Sequence, residues 1–364
     1  MRNRTRVRKR GNGTRSCVQP TDRAGAARAG VGCAVARRSF TGVLAATVAL
    51  WVGLAFAADP ESAPPQEPVR LRAGKADSAY HALALELAAA LNQPENGAPK
   101  ISVEESQGSV QNVIDAIHDQ QRALFTAPPN VIVEARRGDK PFGVNPAYRE
   151  IRSLFPIPFQ AMHWVVRKDS GVQGFADLAA RPFIPGTNGT FAERQTAALL
   201  KILGLDTQVQ LIDIDSAAAP AALKSKQVIG FATAGPYPIA SLSSLAEEVP
   251  ITLLTLTPEQ LKQELASDGT TIALTIPAGT YPGVDRDTVT VALPAGIYTT
   301  THLSEPLAYR ITKAFWTARS RLAENARAWA SVTPAELSVL GAKLHAGALQ
   351  YYREANIKVP DELR

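Results

Sequence analysis

The sequence predicts an α/β protein of two lobes, each a mainly parallel sheet flanked by helices, with a ligand cleft between them. Three observations point there. From Val69 onward, short apolar or alternating runs take turns with helix-period runs, the pattern of parallel sheets covered on both faces. The chain has 364 residues, enough for two such sheets with real cores. A five-residue echo, Thr-Ala-Pro-Pro-Asn at 126–130 and Thr-Ala-Gly-Pro-Tyr at 233–237, closes a helix and strand in each half. It marks equivalent loops at strand C-termini, where open α/β sheets bind their ligands.

The elements follow in order. Residues 69–73 alternate with period two and stop at Gly74. Ser78 precedes an Ala/Leu-rich helix with Tyr80, Leu83, Leu87 and Leu91 on one stripe. Residues 101–104 read as a strand, and Gly108-Ser109 opens a helix with Val110, Val113, Ile114 and Ile117 inward. Residues 122–127 and 163–167 are strands, and 175–178 a short helix. Residues 182–184 lead through Gly186–Thr190 into a helix ending at Leu203, with Gly204 as its left-handed stop. Strands at 209–214 and 228–233 flank a helix at 216–226. A strand at 288–295 and a long helix at about 305–330 come last. A late strand is thus available to rejoin the first sheet. The first lobe is expected to comprise 69–165 plus 288–364 and the second 166–287.

The start of the chain differs in kind. Residues 1–58 carry 11 of the 39 Lys and Arg residues and a single acid, Asp22, leaving 28 basic and 32 acidic groups beyond them. The basic pI of 9.3 therefore belongs to a leader, and the body lacks the net basic face that phosphate-tracking proteins need. Arg37-Arg38 precede the uncharged stretch 39–58, which ends in small residues including Ala55-Phe56-Ala57. Basic region, apolar core and small-residue end are those of an export signal, and Arg37–Phe40 resembles a twin-arginine signal. The alternative is a retained anchor, since about 20 apolar residues just span a bilayer. Residues 59–68 are a Pro-rich linker. Both cysteines, Cys17 and Cys33, precede the apolar core, so the exported chain is expected to have no thiol and no disulfide. The reading is a periplasmic or otherwise extracytoplasmic product.

Catalytic chemistry is not legible. The histidines, His81, His118, His163, His302 and His345, lack metal-ligand spacing. Neither a G-x-S-x-G elbow nor a Walker-type phosphate loop occurs. Glu104-Glu105 and Glu247-Glu248 read as solvated surface. The expectation is a non-enzyme with no cofactor and no metal.

Three helix starts are the best binding candidates, because free N–H groups and the helix dipole receive carboxylates or phosphates. They are Asp77–Tyr80, Gly108-Ser109 and Gly186–Thr190. The competing reading makes Ser78, Ser109 and Thr190 simple N-caps, with Thr190 and Glu193 forming a capping box that competes with an anion. Thr187 and Asn188 are the binding candidates of the third start. Tyr80 lies on an apolar stripe, so core packing is as good a reading as ligand contact. Asn130 and Tyr237 are polar residues that end strands in loops, where turn chemistry does not demand a Tyr. The candidate site is therefore Ser78, Tyr80, Ser109, Asn130, Thr187, Asn188, Thr190 and Tyr237.

Several strings resemble the TAXI family, the soluble receptors of TRAP-type transporters. They are Ile276-Pro277-Ala278-Gly279-Thr280-Tyr281-Pro282-Gly283 followed by residues 290–295 (TVALPA), residues 344–348 with Tyr351-Tyr352-Arg353-Glu354-Ala355, Gly108-Ser109 with Asn112, and residues 165–171 with 176–178. The resemblance covers about 69–358. It implies a type II periplasmic-binding-protein-like fold that closes on a small organic anion or amino acid. It implies delivery of that ligand to a TRAP-type membrane permease, with a monomeric receptor and no nucleic acid. The chain departs from the family's pattern at 74–80, where one Tyr and few glycines remain, at 119–124, and at Ala127–Asn130. Those changes imply a different or less polar ligand. Alternative readings are a ligand-sensing module for a membrane signalling partner and an extracytoplasmic enzyme.

Overall fold

The computed structural model describes residues 67–364, apart from Asp77 and residues 119–122. The leader, most of the linker and the family departures at 119–122 lie outside the described residues.

The first lobe begins with β1 (Val69–Arg72), α1 (Ala79–Leu91), β2 (Ile101–Glu104), α2 (Ser109–Ala116), β3 (Ala123–Ala127) and α3 (Pro129–Arg137). The alternation in 69–72 puts Val69 and Leu71 in the core. Leu83, Leu87 and Leu91 bury one face of α1 as their spacing requires. A long strand, β4 (Ile151–Arg167), then carries the chain out of this lobe.

The second lobe contains β5 (Pro182–Ile184), α4 (Phe191–Ile202), β6 (Gln210–Leu211), α5 (Ala219–Lys224), β7 (Gly230–Gly235), α6 (Ala240–Glu248), β8 (Ile251–Leu253), α7 (Pro258–Asp268) and β9 (Ile272–Ile276). The return strand β10 (Thr288–Thr300) leads to α8 (Glu305–Asn325) and α9 (Ala346–Glu354).

The strand order is β2-β1-β3-β10-β4-β7-β5-β6, with β8 on β4 and β9 on β10. Pairing is parallel at β1–β2, β1–β3, β5–β6 and β5–β7, and antiparallel wherever β4 or β10 takes part. This is the expected two-lobed α/β fold: two parallel-strand halves joined through two long shared strands. Each half has its own interior. One cluster, including Leu71, Phe125, Phe155, Ile297 and Phe315, fills the first lobe. In the second, alternate residues of β4 serve opposite faces of the sheet. Ala161 and Val165 pack with α5 and α6, while Met162, Trp164 and Val166 pack with α4.

The sequence reading leaves out α6, β8, α7 and β9, and three other elements that bear on the site differ from their expected form. The strand expected at 163–167 begins at Ile151. Pro156 and Pro158 hid it, because proline lacks the N–H a central strand needs. On the edge of β4 away from β10 the bridge from Ser153 to Leu344 lies before the prolines, and pairing with β7 starts only at Ala161, so between Pro156 and Gln160 none of the described strands pairs with that edge. Likewise β10 runs on to Thr300. Asn130 is not in a loop but in the first turn of α3, whose start is Pro129 and whose end is capped by Gly138 at φ 80°.

Two of the family-like strings are structural. Gly347 lets α9 approach α8 so closely that a Cβ there would sit 2.0 Å from the Glu305 carbonyl. Tyr352 is fully buried, and its hydroxyl donates to the Leu154 carbonyl of β4 (2.7 Å) and accepts from Trp316 Nε1 (3.0 Å).

Candidate functional site

Register places the two lobes' strand ends opposite each other. Ala127, the end of β3, pairs with Gly296, which pairs with Pro156 of β4. Gly235, the end of β7, pairs with Ala161 of the same strand. The two echo segments therefore do occupy equivalent places, each ending a strand parallel to its lobe's first strand and leading through proline into a helix. They run toward each other, separated by the five residues from Pro156 to Ala161, about 16 Å along the strand. Within this span, next to Ala161, lies Gln160, paired with Leu293; both are half-buried, as the floor of a cleft would be.

The first-lobe rim is built from the ends of β1 and β3 and the starts of α1, α2 and α3. Asn112 ties it together: its amide Nδ2 donates to Ala73 O (2.7 Å) and Thr126 O (3.0 Å), joining β1 to β3. Thr126 Oγ1 donates to the same Ala73 carbonyl (2.9 Å). Two carbonyl acceptors fix the orientation of the Asn112 amide, so its Oδ1 faces the other way, buried and without a partner. Four other polar atoms here are buried without a partner: Tyr80 Oη, His81 Nδ1, Asn130 Oδ1 and Gln160 Nε2. Native structures rarely leave such atoms unsatisfied, at about 1–3 kcal/mol each. Three of the four belong to the starts of α1 and α3 and the fourth to β4, and all are closed off from solvent.

Ser78 caps α1, its Oγ accepting from His81 N (3.2 Å). Tyr80 packs on the first-lobe core, and burial pushes its hydroxyl pKa well above the ordinary tyrosine range. Ser109 is not the cap of α2. Gly108, at φ 120°, holds that place, and Ser109 is the first helical residue. A β-carbon is disfavoured at that φ, so the chain uses glycine there. Asn130 Nδ2 donates to Glu134 Oε1 (3.1 Å).

On the second lobe, Thr187 and Ser216 clasp the loop after β5 to the turn before α5. Thr187 N donates to Ser216 Oγ (3.1 Å), Ser216 N donates to Thr187 Oγ1 (2.9 Å), and the two hydroxyls are 2.8 Å apart. Asn188 Nδ2 donates to Asp213 Oδ1 (3.0 Å). Thr190 caps α4 by accepting from Glu193 N (3.3 Å). The expected reciprocal box is not formed, because Thr190's own N–H is taken by Thr187 O (3.0 Å). Tyr237 packs against the second-lobe core beside a cis bond to Pro238. Burial and then the charge of Glu336, from the first lobe's C-terminal part, raise its pKa.

These contacts place Ser78, Tyr80, Ser109 and Asn130 on one rim and Thr187, Asn188, Thr190 and Tyr237 on loops of the facing lobe. Asn112 and Gln160 were missed as candidates. Asn112 stood in a quoted string but was read only as a resemblance, and nothing marked Gln160 while its strand was unrecognised. Among the described residues, no group of three or more His, Cys, Asp or Glu side chains is arranged to hold a metal ion, and no helix is long and apolar enough to cross a membrane.

Solved structures similar to this chain include a TctC solute binding protein from Polaromonas (11% identity, 76% of this chain and 90% of that chain, TM-score 0.44). They also include the periplasmic binding protein BugD (13%, 81% and 100%, TM-score 0.46). A third is MatC from Rhodopseudomonas palustris with bound malate (13%, 76% and 90%, TM-score 0.42). The model of the NMT1-like family matches residues 71–355, and the chain belongs to that family.

Proposed function

We propose that this chain is an extracytoplasmic solute-binding receptor. It captures a small organic anion or amino acid between its lobes and delivers it to a membrane transporter, in the finer reading a TRAP-type permease served by a TAXI-like receptor. The observation that carries this is the opposition of the β3 and β7 ends across the half-buried Gln160–Leu293 pair. The sequence expectation divides the chain into 69–165 plus 288–364 and 166–287; our reading moves the crossings to Pro156–Ala161 and Ala292–Gly296, because residues such as Ala161, Trp164 and Ala292 pack in the second-lobe clusters. Binding draws the lobes together because only the closed form gives the ligand contacts from both. No reaction and no cofactor is part of the proposal. In this reading the stretch 39–58 is the export signal, and the receptor acts outside the cytoplasm as a monomer.

Native mass spectrometry of what co-purifies, followed by calorimetry with amino and dicarboxylic acids, tests the reading. Asn130→Ala, Tyr237→Phe and Asn188→Ala should each weaken binding, by roughly twofold to a hundredfold for a lost hydrogen bond. Tight binding that none of the three changes disturbs beyond twofold would show that the ligand sits elsewhere. Turnover of the bound compound would replace the receptor reading with an enzyme.

A further inference from the structure

The turn Pro334–Val339 and its flanks divide their side chains between the two interiors. Val332, Leu337, Leu340 and Ala342 lie in the first-lobe core, Leu337 and Leu340 with no exposed surface. Val339, between those two leucines, instead packs against the second-lobe cluster that holds Ala161, Tyr281 and Ala292.

The body of the turn is fixed from the first lobe. At its start Thr333 and Glu336 close a capping box, Glu336 Oε2 accepting from Thr333 N (2.6 Å) and Thr333 Oγ1 (2.5 Å). At its end Tyr298 Oη of β10 donates to Leu340 O (2.9 Å), Ser153 Oγ of β4 donates to Ala342 O (2.7 Å), and Arg136 Nη1 of α3 donates to Gly341 O (3.3 Å). Leu340 lies over Gly296 of β10, where a Cβ would come within 2.5 Å of its Cδ2. Val339 is therefore held from the first-lobe parts of both shared strands while its side chain meets the second lobe.

Beside Val339 the lobes stand apart. A cavity of about 720 Å³ separates Asn130 and Arg137 of α3 from Thr271 and Ile272 of the second lobe, and Val339 lines it. A turn of one lobe about the shared strands would change this gap and strip Val339 from the second-lobe cluster. The charge of Glu336 also reaches Tyr237, where it adds to the effect of burial in raising the phenol pKa.

We infer that this turn is an interlobe brace: rooted in the first lobe, it seats Val339 on the second and limits how far the lobes swing about β4 and β10. Its strength is the apolar area that Val339 and its partners keep from water. A receptor braced in this way has less freedom to lose when a ligand draws its lobes together. The inference rests on the fold and not on the ligand, so its failure would leave the receptor reading intact.

The test needs no ligand. In the full chain with Cys17→Ser and Cys33→Ser, spin labels go on Ser320→Cys of α8 and Lys201→Cys of α4, exposed positions in the first and second lobes. Pulsed electron paramagnetic resonance then reads the interlobe distance. The chain with Val339 should give one narrow distribution. Val339→Ala should broaden or split it, the share of molecules at the new distance rising about fivefold, with a melting temperature within about 4 °C of the parent. Val339→Thr, of the same shape but polar, should broaden it too, and carries the test if Val339→Ala does not fold. An unchanged distribution in these variants overturns the brace. A melting temperature lowered by more than about 4 °C with no change in distance also overturns it, and makes Val339 an ordinary core side chain. Ser338→Ala, which loses the bond from Ser338 Oγ to Ala335 O (3.0 Å), should match the parent. Broadening there as large as in Val339→Ala would assign the motion to the turn as a whole and overturn the role of Val339.

Discussion

The Tyr281 hydroxyl lies 2.9 Å from His163 Nε2 and accepts the N–H of Ile239 at 2.9 Å. His163 Nδ1 in turn meets the carbonyl of Ala161 at 2.9 Å. One assignment satisfies every group: Nδ1 carries the imidazole proton, donates to Ala161, and leaves Nε2 to accept from Tyr281. The chain of bonds runs from Ala161, where β4 first meets β7, to Ile239, two residues past Tyr237. The string that contains Tyr281 thus binds the shared strand to the loop that carries a candidate ligand contact.

Tyr281→Phe removes one oxygen and strands two buried groups, Ile239 N–H and His163 Nε2. We expect a loss of about 2–4 kcal/mol, read as a lower urea midpoint at unchanged slope. Amide exchange at Ile239 should rise with it. A variant as stable as the parent would mean that water replaces the hydroxyl and that the relay adds no stability.

Burial holds the His163 pKa down at about 4, against the lesser upward pull of the Ala161 carbonyl, while an unfolded histidine titrates near 6.5. Between those values the unfolded chain binds a proton that the native chain refuses. The stabilisation is therefore whole above about pH 6.5 and is lost as pH falls toward 4, by about 3 kcal/mol in all. Burial lowers the His345 pKa too, and it acts in the same direction. Urea titrations at pH 7.5 and 4.5 should show the loss, and His163→Gln, which keeps an amide without the titration, should reduce it. An equal loss in that variant would assign the pH dependence to other groups.

The early strands and helices were legible because their burial follows a single period: Val69 and Leu71 at two, Leu83, Leu87 and Leu91 at helical spacing. The signals for α3 were also present, with Pro129 at the first position, Arg136 and Arg137 in the last turn and Gly138 after it. The paired prolines led to a loop reading instead. The first part of β4 was lost to Pro156 and Pro158, and with it Gln160.

Export leaves its own prediction, on residues outside the described structure. The small-residue end of the apolar stretch precedes Asp59-Pro60 and the polar linker. The mature chain should start at Ala58 or Asp59. N-terminal sequencing of the exported form checks this, and a membrane-bound product that retains 39–58 would establish an anchor.

Gly347→Ala should be among the most damaging single changes in the first lobe. The added methyl would meet the Glu305 carbonyl at 2.0 Å and Tyr309 N at 2.8 Å, both backbone atoms of α8. Side chains can turn aside, but these cannot, so α9 must back away and draw Tyr352 from its bond to Leu154. A loss above about 3 kcal/mol is expected. Gly174→Ala meets no atom within 4 Å and should cost about 1 kcal/mol or less. Similar melting temperatures for the two variants would show that α9 yields easily.

Thr187→Val separates local order from global stability. The change removes both bonds made by the Thr187 hydroxyl, to Ser216 N and Ser216 Oγ, and keeps the backbone bond from Thr187 N to Ser216 Oγ. The site is half-buried at the rim, where water can reach the freed groups, so the cost should be about 1 kcal/mol. Loop order should suffer more than the fold, because the clasp is what fixes 186–190 against the turn before α5. Exchange of the amides at 187–190 should accelerate by tenfold or more, a loss of about 1.4 kcal/mol in local opening, while amides of β7 keep their protection. If this loop closes over a ligand, affinity should fall by about threefold to tenfold, because order once built in must then be supplied on binding. Unchanged exchange at 187–190 would mean that Asn188 and its bond to Asp213 hold the loop without the clasp.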